Sequence, residues 1–214
     1  MDDFNTMSDD AFDFDAAQTD GAFSEDLAFD LDAIEQTISD DSLFAGRYKI
    51  IQKLRNSETG PSFLAEDQKL ENNLVTLKIL PAFLVSNQKA LDAIKAEALI
   101  AMQLAHSNII PCRDYDQTEN FAYLVYDYLD GQSLAEYLIV NGALSDDEAY
   151  KLFTQIADAV DYSHSLDITH GDINPSNIYI DNSGKGFLGD FAIACELKKT
   201  MTTMTGTFAA ASQT

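Results

Sequence analysis

The sequence is poor in several residues that mark common protein classes. Its 214 residues contain no tryptophan, four prolines and two cysteines, Cys112 and Cys195. Two cysteines without metal-ligand spacing argue against a disulfide framework and against a zinc module, and they fit a reducing compartment. No run of eighteen apolar residues occurs, and no basic and then apolar stretch follows Met1, so neither a membrane span nor a secretory signal is indicated. We therefore expect a cytoplasmic protein.

Positive charge is also scarce. The sequence has 13 Lys and Arg against 36 Asp and Glu, which gives a formal net charge of -23. Binding to nucleic acid needs clustered basic residues that neutralise phosphates, so this balance argues against a nucleic-acid partner. The hydrophobic fraction of 46% is nevertheless large enough for a sizeable core.

The acidic residues are concentrated at the N-terminus. Residues 1–41 contain fourteen Asp and Glu and not one Lys or Arg, a composition that cannot bury enough surface to fold alone. We therefore expect an acidic, mostly disordered tail over residues 1–43. Within it, apolar residues recur at helical spacing and make residues 25–38 a candidate short helix. The tail is interpreted as a solvating arm; the alternative is a docking segment whose phenylalanines bind a partner.

From Arg47 onward, apolar strands alternate with short polar turns. The pattern predicts a small antiparallel sheet with strands at residues 48–54, 62–66, 73–80 and 121–126. It also predicts a helix over residues 86–105, in which Glu97 falls on the apolar stripe. Burying an unpaired carboxylate is costly, and Lys78 is the one basic residue of its apolar strand. We therefore expect an ion pair between Lys78 and Glu97.

The second half of the chain is richer in helix signals. A turn at residues 129–134 leads to a predicted short helix that ends near Val140. A long helix is predicted from Ser145 to about His164, with Ser145 and Glu148 as a capping box. A strand-rich half followed by a helix-rich half predicts an α+β protein with two lobes and a cleft between them, and nucleotides commonly bind in clefts.

Polar residues of the catalytic type follow this helix. Asp172 and Asn177 lie five residues apart before a short apolar strand, and Asp190 follows further downstream. This is the layout of a phosphoryl-transfer loop, in which an Asp accepts the proton of the attacking hydroxyl while an Asn and a second Asp bind magnesium. Taken alone, the spacing is also that of an ordinary polar turn around Pro175.

The order of these motifs resembles the protein kinase family, and more closely its bacterial serine/threonine type. Residues 75–78 resemble the Val-Ala-Ile-Lys strand, residues 106–110 the His-Pro-Asn-Ile motif, and residues 123–131 the hinge between lobes. The resemblance implies a protein-kinase-like two-lobe fold. Its N-terminal lobe, a small antiparallel sheet plus one helix, would span residues 44–128. A partial helical C-terminal lobe would span residues 129–214 and end in the activation segment.

The resemblance also implies the catalytic roles. Asp172 would be the catalytic base, and Lys78 would contact the nucleotide phosphates while it pairs with Glu97. Asn177 and Asp190 would bind Mg2+. The implied cofactors are ATP and Mg2+, and the implied partner is a protein substrate or another protein.

Four further positions would bind the nucleotide together with Lys78. Backbone groups of Asp127 and Leu129 would bind the adenine edge, and Gly60 and Tyr179 would line the same site. The phosphate-covering loop departs from Gly-x-Gly-x-x-Gly, because residues 55–60 keep only Gly60. Side chains there hinder close approach of the backbone to phosphates.

These departures leave more than one function open. The first interpretation is an ATP-dependent serine/threonine protein kinase, since all five polar catalytic residues are present. The alternative is a pseudokinase that acts as a nucleotide-binding or scaffold module. A small-molecule kinase is a third, favoured only by the start His170-Gly171-Asp172. The sequence reaches Thr214 without an Ala-Pro-Glu motif, which predicts a truncated domain that is inactive by itself.

Overall fold

The computed structural model describes residues 42–57, 60–80, 85 and 87–191, without the side chains of residues 56 and 57. Three of the sequence-based predictions lie largely or wholly outside these residues. They are the acidic tail with its helix over 25–38, the middle of the degenerate glycine loop, and the activation segment.

The first half of the chain forms a five-stranded antiparallel sheet with the strand order β1-β2-β3-β5-β4. Its strands are β1 (Tyr48–Ser57), β2 (Gly60–Asp67), β3 (Asn73–Ile79), β4 (Cys112–Gln117) and β5 (Ala122–Asp127). The four predicted strands are therefore confirmed, with bounds that differ by one to three residues. Strand β4 was not predicted, because its sequence CRDYDQ is polar and mostly exposed at the sheet edge.

Residues alternate between the two faces of this sheet, and each face has its own core. In β5, Tyr123 and Val125 belong to a cluster that also contains Phe44, Tyr48 and Phe63. The intervening Leu124 and Tyr126 belong to the other cluster, which joins the sheet to the helices. The second cluster therefore connects the two halves of the chain next to the cleft.

One helix packs on the sheet, as predicted. Helix α1 (Gln88–Ala101) begins after Asn87, whose side-chain oxygen accepts a hydrogen bond from the backbone of Ala90. It ends earlier than the sequence predicts, because the backbone N–H groups of Gln103 and Leu104 donate to the carbonyl oxygens three residues before them and close a tight last turn. Its buried residues are Ala90, Leu91, Ile94, Ala98 and Ala101.

The described part of the second half, up to residue 191, contains two helices and a small sheet. The elements are β6 (Gly131–Ser133), α2 (Leu134–Asn141), α3 (Asp146–Ser165), β7 (Ile178–Asp181) and β8 (Gly186–Leu188). Both helices start with capping boxes, Ser133 with Glu136 and Ser145 with Glu148, so the predicted start of α3 is confirmed. No helix within the described residues is long and apolar enough to cross a membrane.

The small sheet has the strand order β6-β7-β8 and supports the far side of the cleft. Gly131 lies so close to β7 that an added Cβ would lie 2.9 Å from the Cα of Asp181. A side chain at this position would therefore push β6 away from β7. The α+β architecture of a sheet with one helix followed by a helical part is confirmed.

Candidate active site

The candidate site is a cleft of about 600 Å³ between the large sheet and the second half of the chain. This volume lies within the usual range of ligand-binding pockets. Seven of the nine site residues named from the sequence line it: Lys78, Asp127, Leu129, Asp172, Asn177, Tyr179 and Asp190. Gly60 and Glu97 do not line the cleft.

An ion pair crosses the cleft. The Nζ of Lys78, in β3, lies 2.7 Å from Oδ2 of Asp190, which follows β8. The two side chains are 4% and 13% exposed, so little water screens the pair. Asp190 has φ of +56°, a left-handed conformation that is uncommon for a residue with a side chain. Such strained residues are concentrated at functional sites.

The predicted ion pair between Lys78 and Glu97 is wrong in this structure. Lys78 binds Asp190 instead, and Glu97 forms no ion pair within the part of the chain that the structure describes. The buried stripe of α1 runs through Ile94, Ala98 and Ala101, so Glu97 lies beside it and stays half-exposed. A carboxylate that keeps contact with water does not need a buried partner.

His170 fixes the loop that carries Asp172. Its ring is buried, its Nε2 lies 2.7 Å from the carbonyl oxygen of Gly189, and its Nδ1 accepts a hydrogen bond of 3.1 Å from the backbone N–H of Asp172. Because Nδ1 accepts, Nε2 carries the proton and donates to Gly189, so the imidazole is neutral. Burial lowers the pKa of His170, although the bond to Gly189 and nearby carboxylates oppose this.

Asn177 holds the Asp172 carboxylate in place. Its Nδ2 donates to the carbonyl oxygen of Asp172 at 2.8 Å and to Oδ2 at 2.9 Å. The backbone N–H of Gly189 donates to the carbonyl oxygen of Asn177 at 2.9 Å. These bonds bring the loop against the segment that contains Asp190, so three oxygen-bearing side chains border one end of the cleft.

The side chains of Asn177 and Asp190 fit a magnesium ion in their chemistry. Mg2+ prefers oxygen ligands and is usually bound by one or two carboxylates together with substrate phosphates and water. No group of three or more His, Cys, Asp or Glu placed to hold a metal occurs among the described residues. A metal here would therefore need further oxygen atoms from water or from a bound ligand.

The wall of the cleft beside Asp190 is aromatic. Tyr126 and Tyr179 both line it and both are buried. Burial raises the pKa of each phenol above its ordinary value, and the charge of Asp190 adds to the effect. The Tyr126 hydroxyl has no hydrogen-bond partner in the described part of the molecule.

Sequence reasoning did not identify Arg55 as a residue of this site. Its guanidinium lies over the Tyr179 ring, with Cζ 4.5 Å from the ring centroid. The sequence marked Arg55 only as an obstacle in the degenerate glycine loop. Its place near Lys78 follows from the pairing of β1 with β2 and of β2 with β3, which no local sequence pattern shows.

Comparisons with known proteins agree with this geometry. The family model of the protein kinase domain matches residues 48–211. The probable serine/threonine-protein kinase PknB of Lactococcus lactis is 33% identical over 165 residues, which cover 77% of this chain and 26% of that protein. The serine/threonine-protein kinase PrkC of Bacillus subtilis is 34% identical over 161 residues, which cover 75% and 25%.

Solved structures give the same result for the fold. The crystal structure of the PknI kinase domain of Mycobacterium tuberculosis superposes with a TM-score of 0.63 at 25% identity. The superposition covers 72% of this chain and 61% of that one. The chain spans about a quarter of the length of the two curated relatives described above.

Proposed function

Because the chain belongs to the protein kinase family and is similar to its bacterial serine/threonine type, we propose that it binds ATP with Mg2+ and transfers phosphate to serine or threonine of a protein substrate. The observation that carries the proposal is the grouping of Lys78, Asp172, Asn177 and Asp190 around one cleft. This activity is proposed for the whole protein. It is inferred from relatives that are longer than this chain.

Asp172 has the role of general base in this proposal. Its carboxylate is half-exposed at the edge of the cleft, where a hydroxyl of the substrate can approach it. The hydrogen bond from Asn177 Nδ2 to Oδ2 and the bond from the Asp172 backbone to His170 orient the loop. A base that is held in place accepts the proton of the attacking hydroxyl without first having to reorganise.

Asn177 and Asp190 would hold Mg2+, which when bound neutralises charge on the nucleotide phosphates. Lys78 has a fixed position because it is bound to Asp190, and its ammonium supplies positive charge close to the metal ligand. The nucleotide base would be bound by backbone groups of Asp127 and Leu129, which also line the cleft.

A scaffold function without catalysis is not favoured. The similar curated proteins are named as kinases, and the residues assigned to proton transfer and metal binding all border the cleft. Four further points stay predictions. They are a protein partner, a docking role for the acidic tail, the lobe boundary between residues 128 and 129, and a cytoplasmic location.

Phosphate transfer to a generic protein substrate tests the proposal. The protein is expressed from its complete natural reading frame, and transfer from labelled ATP with Mg2+ is compared for the wild type, Asp172→Asn and Asp161→Asn. Asp161 is an exposed aspartate of α3 and serves as the matched control. Asp172→Asn should lower the rate by at least about 100-fold, as expected for loss of a general base. Equal rates in the wild type and Asp172→Asn would contradict the assignment.

A further inference from the structure

Three polar side chains form a row across the large sheet. Arg55 of β1 is paired with Ser62 of β2, and Ser62 is paired with Lys78 of β3. Residues paired directly across antiparallel strands point to the same face, with Cβ atoms roughly 4.5 to 5.5 Å apart. All three residues line the cleft, so the row faces the site of the proposed nucleotide.

The guanidinium of Arg55 has spare hydrogen-bonding capacity. It is stacked on the Tyr179 ring, and its Nη1 is buried without a hydrogen-bond partner among the described residues. A buried donor without an acceptor is unfavourable, so the position favours a ligand that supplies one. The stacking fixes the plane of the guanidinium but uses none of its N–H groups.

No carboxylate of the described part of the cleft is in contact with Arg55, although Glu136 is near enough for the positive charge of Arg55 to contribute to the lowered pKa of its carboxyl. Asp190 is bound to Lys78 at 2.7 Å, and Glu136 Oε2 accepts hydrogen bonds of 2.7 Å from the backbone and the hydroxyl of Ser133. No ion pair of Arg55 occurs within residues 42–57, 60–80 and 87–191. Arg55 is therefore a half-buried cation without a contacting carboxylate, and its buried Nη1 has a hydrogen bond to offer a ligand.

The loop that begins at Arg55 lacks the glycines that let backbone N–H groups surround phosphates. A nucleotide in this cleft must then be held by side chains. Guanidinium is well suited to this task, because it presents two parallel N–H groups to a phosphate. We propose that Arg55 is a phosphate-binding residue, whose side chain binds the nucleotide's phosphates in place of the missing glycine backbone. This inference rests on the proposed nucleotide-binding function.

A series of ligands that differ only in phosphate content tests the role. Adenosine, AMP, ADP and ATP are titrated with Mg2+ into the wild type, Arg55→Gln, Arg55→Lys and Lys185→Gln. Lys185 is the matched control, because its ammonium lies 4.9 Å from the centroid of the Phe187 ring and neither residue lines the cleft. Arg55→Gln should weaken ADP and ATP by roughly 10- to 100-fold, as expected for lost charge-assisted hydrogen bonds, and adenosine by less than about twofold.

The outcomes separate this inference from the function on which it rests. Arg55→Lys keeps the charge but not the parallel donors, so a smaller loss for ATP than in Arg55→Gln is expected. If Arg55→Gln does not fold, as judged by its thermal unfolding, a loss for ATP but not adenosine in Arg55→Lys still supports the role. If the Arg55 variants bind ATP with the affinity of the wild type, or bind every ligand including adenosine more tightly, the phosphate-binding role of Arg55 is overturned. No binding of any ligand by the wild type would overturn the nucleotide site itself.

Discussion

The ammonium of Lys78 and the carboxylate of Asp190 lie 2.7 Å apart, although 112 residues separate them in the sequence. The pair connects the third strand of the large sheet to the segment after β8, and both side chains are nearly buried. It therefore joins the two halves of the chain at the cleft and sets the position of the proposed metal ligand. Removal of either partner leaves a buried charge without compensation.

We predict that this pair contributes to stability as well as to the site. A double-mutant cycle with Lys78→Met, Asp190→Asn and the double variant, measured by denaturant unfolding, should give a favourable coupling of about 1 to 3 kcal/mol. The reason is that each single substitution leaves one buried charge unpaired, whereas the double variant leaves none. A coupling close to zero would mean that the contact does not hold the two halves together.

A second ion pair should matter more for folding than for catalysis. Arg47 donates from Nε and Nη2 to both carboxylate oxygens of Asp67 at 2.6 to 3.1 Å, and the Asp67 side chain is 1% exposed. The hydrogen bonds from Arg47 lower the pKa of Asp67. Arg47→Gln should therefore lower the free energy of unfolding by about 3 kcal/mol, because it removes the cation that contacts the buried Asp67 carboxylate.

The chain supplies a matched control for this substitution. Arg113 binds Asp127 through the same two-point contact, but the two side chains are 59% and 37% exposed. Arg113→Gln should lower the free energy of unfolding by less than about 1 kcal/mol. Similar losses for the two arginine variants in denaturant unfolding would show that burial does not decide the strength of these pairs.

The buried imidazole of His170 predicts a loss of stability in mild acid. Burial lowers its pKa below the ordinary value of 6.5, so the unfolded chain binds a proton at a higher pH than the folded one does. The contribution of neutral His170 to the free energy of unfolding is therefore fully present above about pH 6.5. It is lost as the pH falls from there through the lowered pKa of the folded state. Protonation would also place a hydrogen on Nδ1, which accepts from Asp172.

Thermal unfolding of the wild type and His170→Gln from pH 5 to pH 8 checks this effect. The wild type should lose stability below about pH 6.5 more steeply than the variant, which has no titrating ring. His164, an exposed histidine in the last turn of α3, provides the control substitution His164→Gln. Parallel curves for the wild type and His170→Gln would show that His170 is not held neutral.

Local sequence rules predicted the elements whose determinants lie within a few residues. The capping box of Ser145 and Glu148 starts α3 where it was expected, and apolar stretches between short polar turns marked four strands of the large sheet. Strand β4 escaped the same rule because this edge strand is polar and contains no apolar stretch. The grouping of polar residues at the cleft followed from the order of motifs.

Two features of the site depended on three-dimensional placement. Glu97 stays half-exposed because the buried face of α1 passes through Ala98, its neighbour in the sequence. Hydrophobic periodicity alone does not decide which of two adjacent helix positions is buried. The stacking of Arg55 on Tyr179 joins strands that are more than a hundred residues apart. Neither the strand register nor the closeness of β1 and β7 is encoded in a local pattern.

The dependence of nucleotide affinity on magnesium tests the central claim most directly. ATP is titrated calorimetrically into the wild type, Asp190→Asn and the surface control Asp161→Asn, with and without Mg2+. We expect Mg2+ to strengthen ATP binding at least about tenfold in the wild type and the control, and Asp190→Asn to lose this gain, because Asp190 is assigned as a metal ligand. Equal affinity for ATP with and without Mg2+ in the wild type, or an undiminished gain in Asp190→Asn, would contradict it.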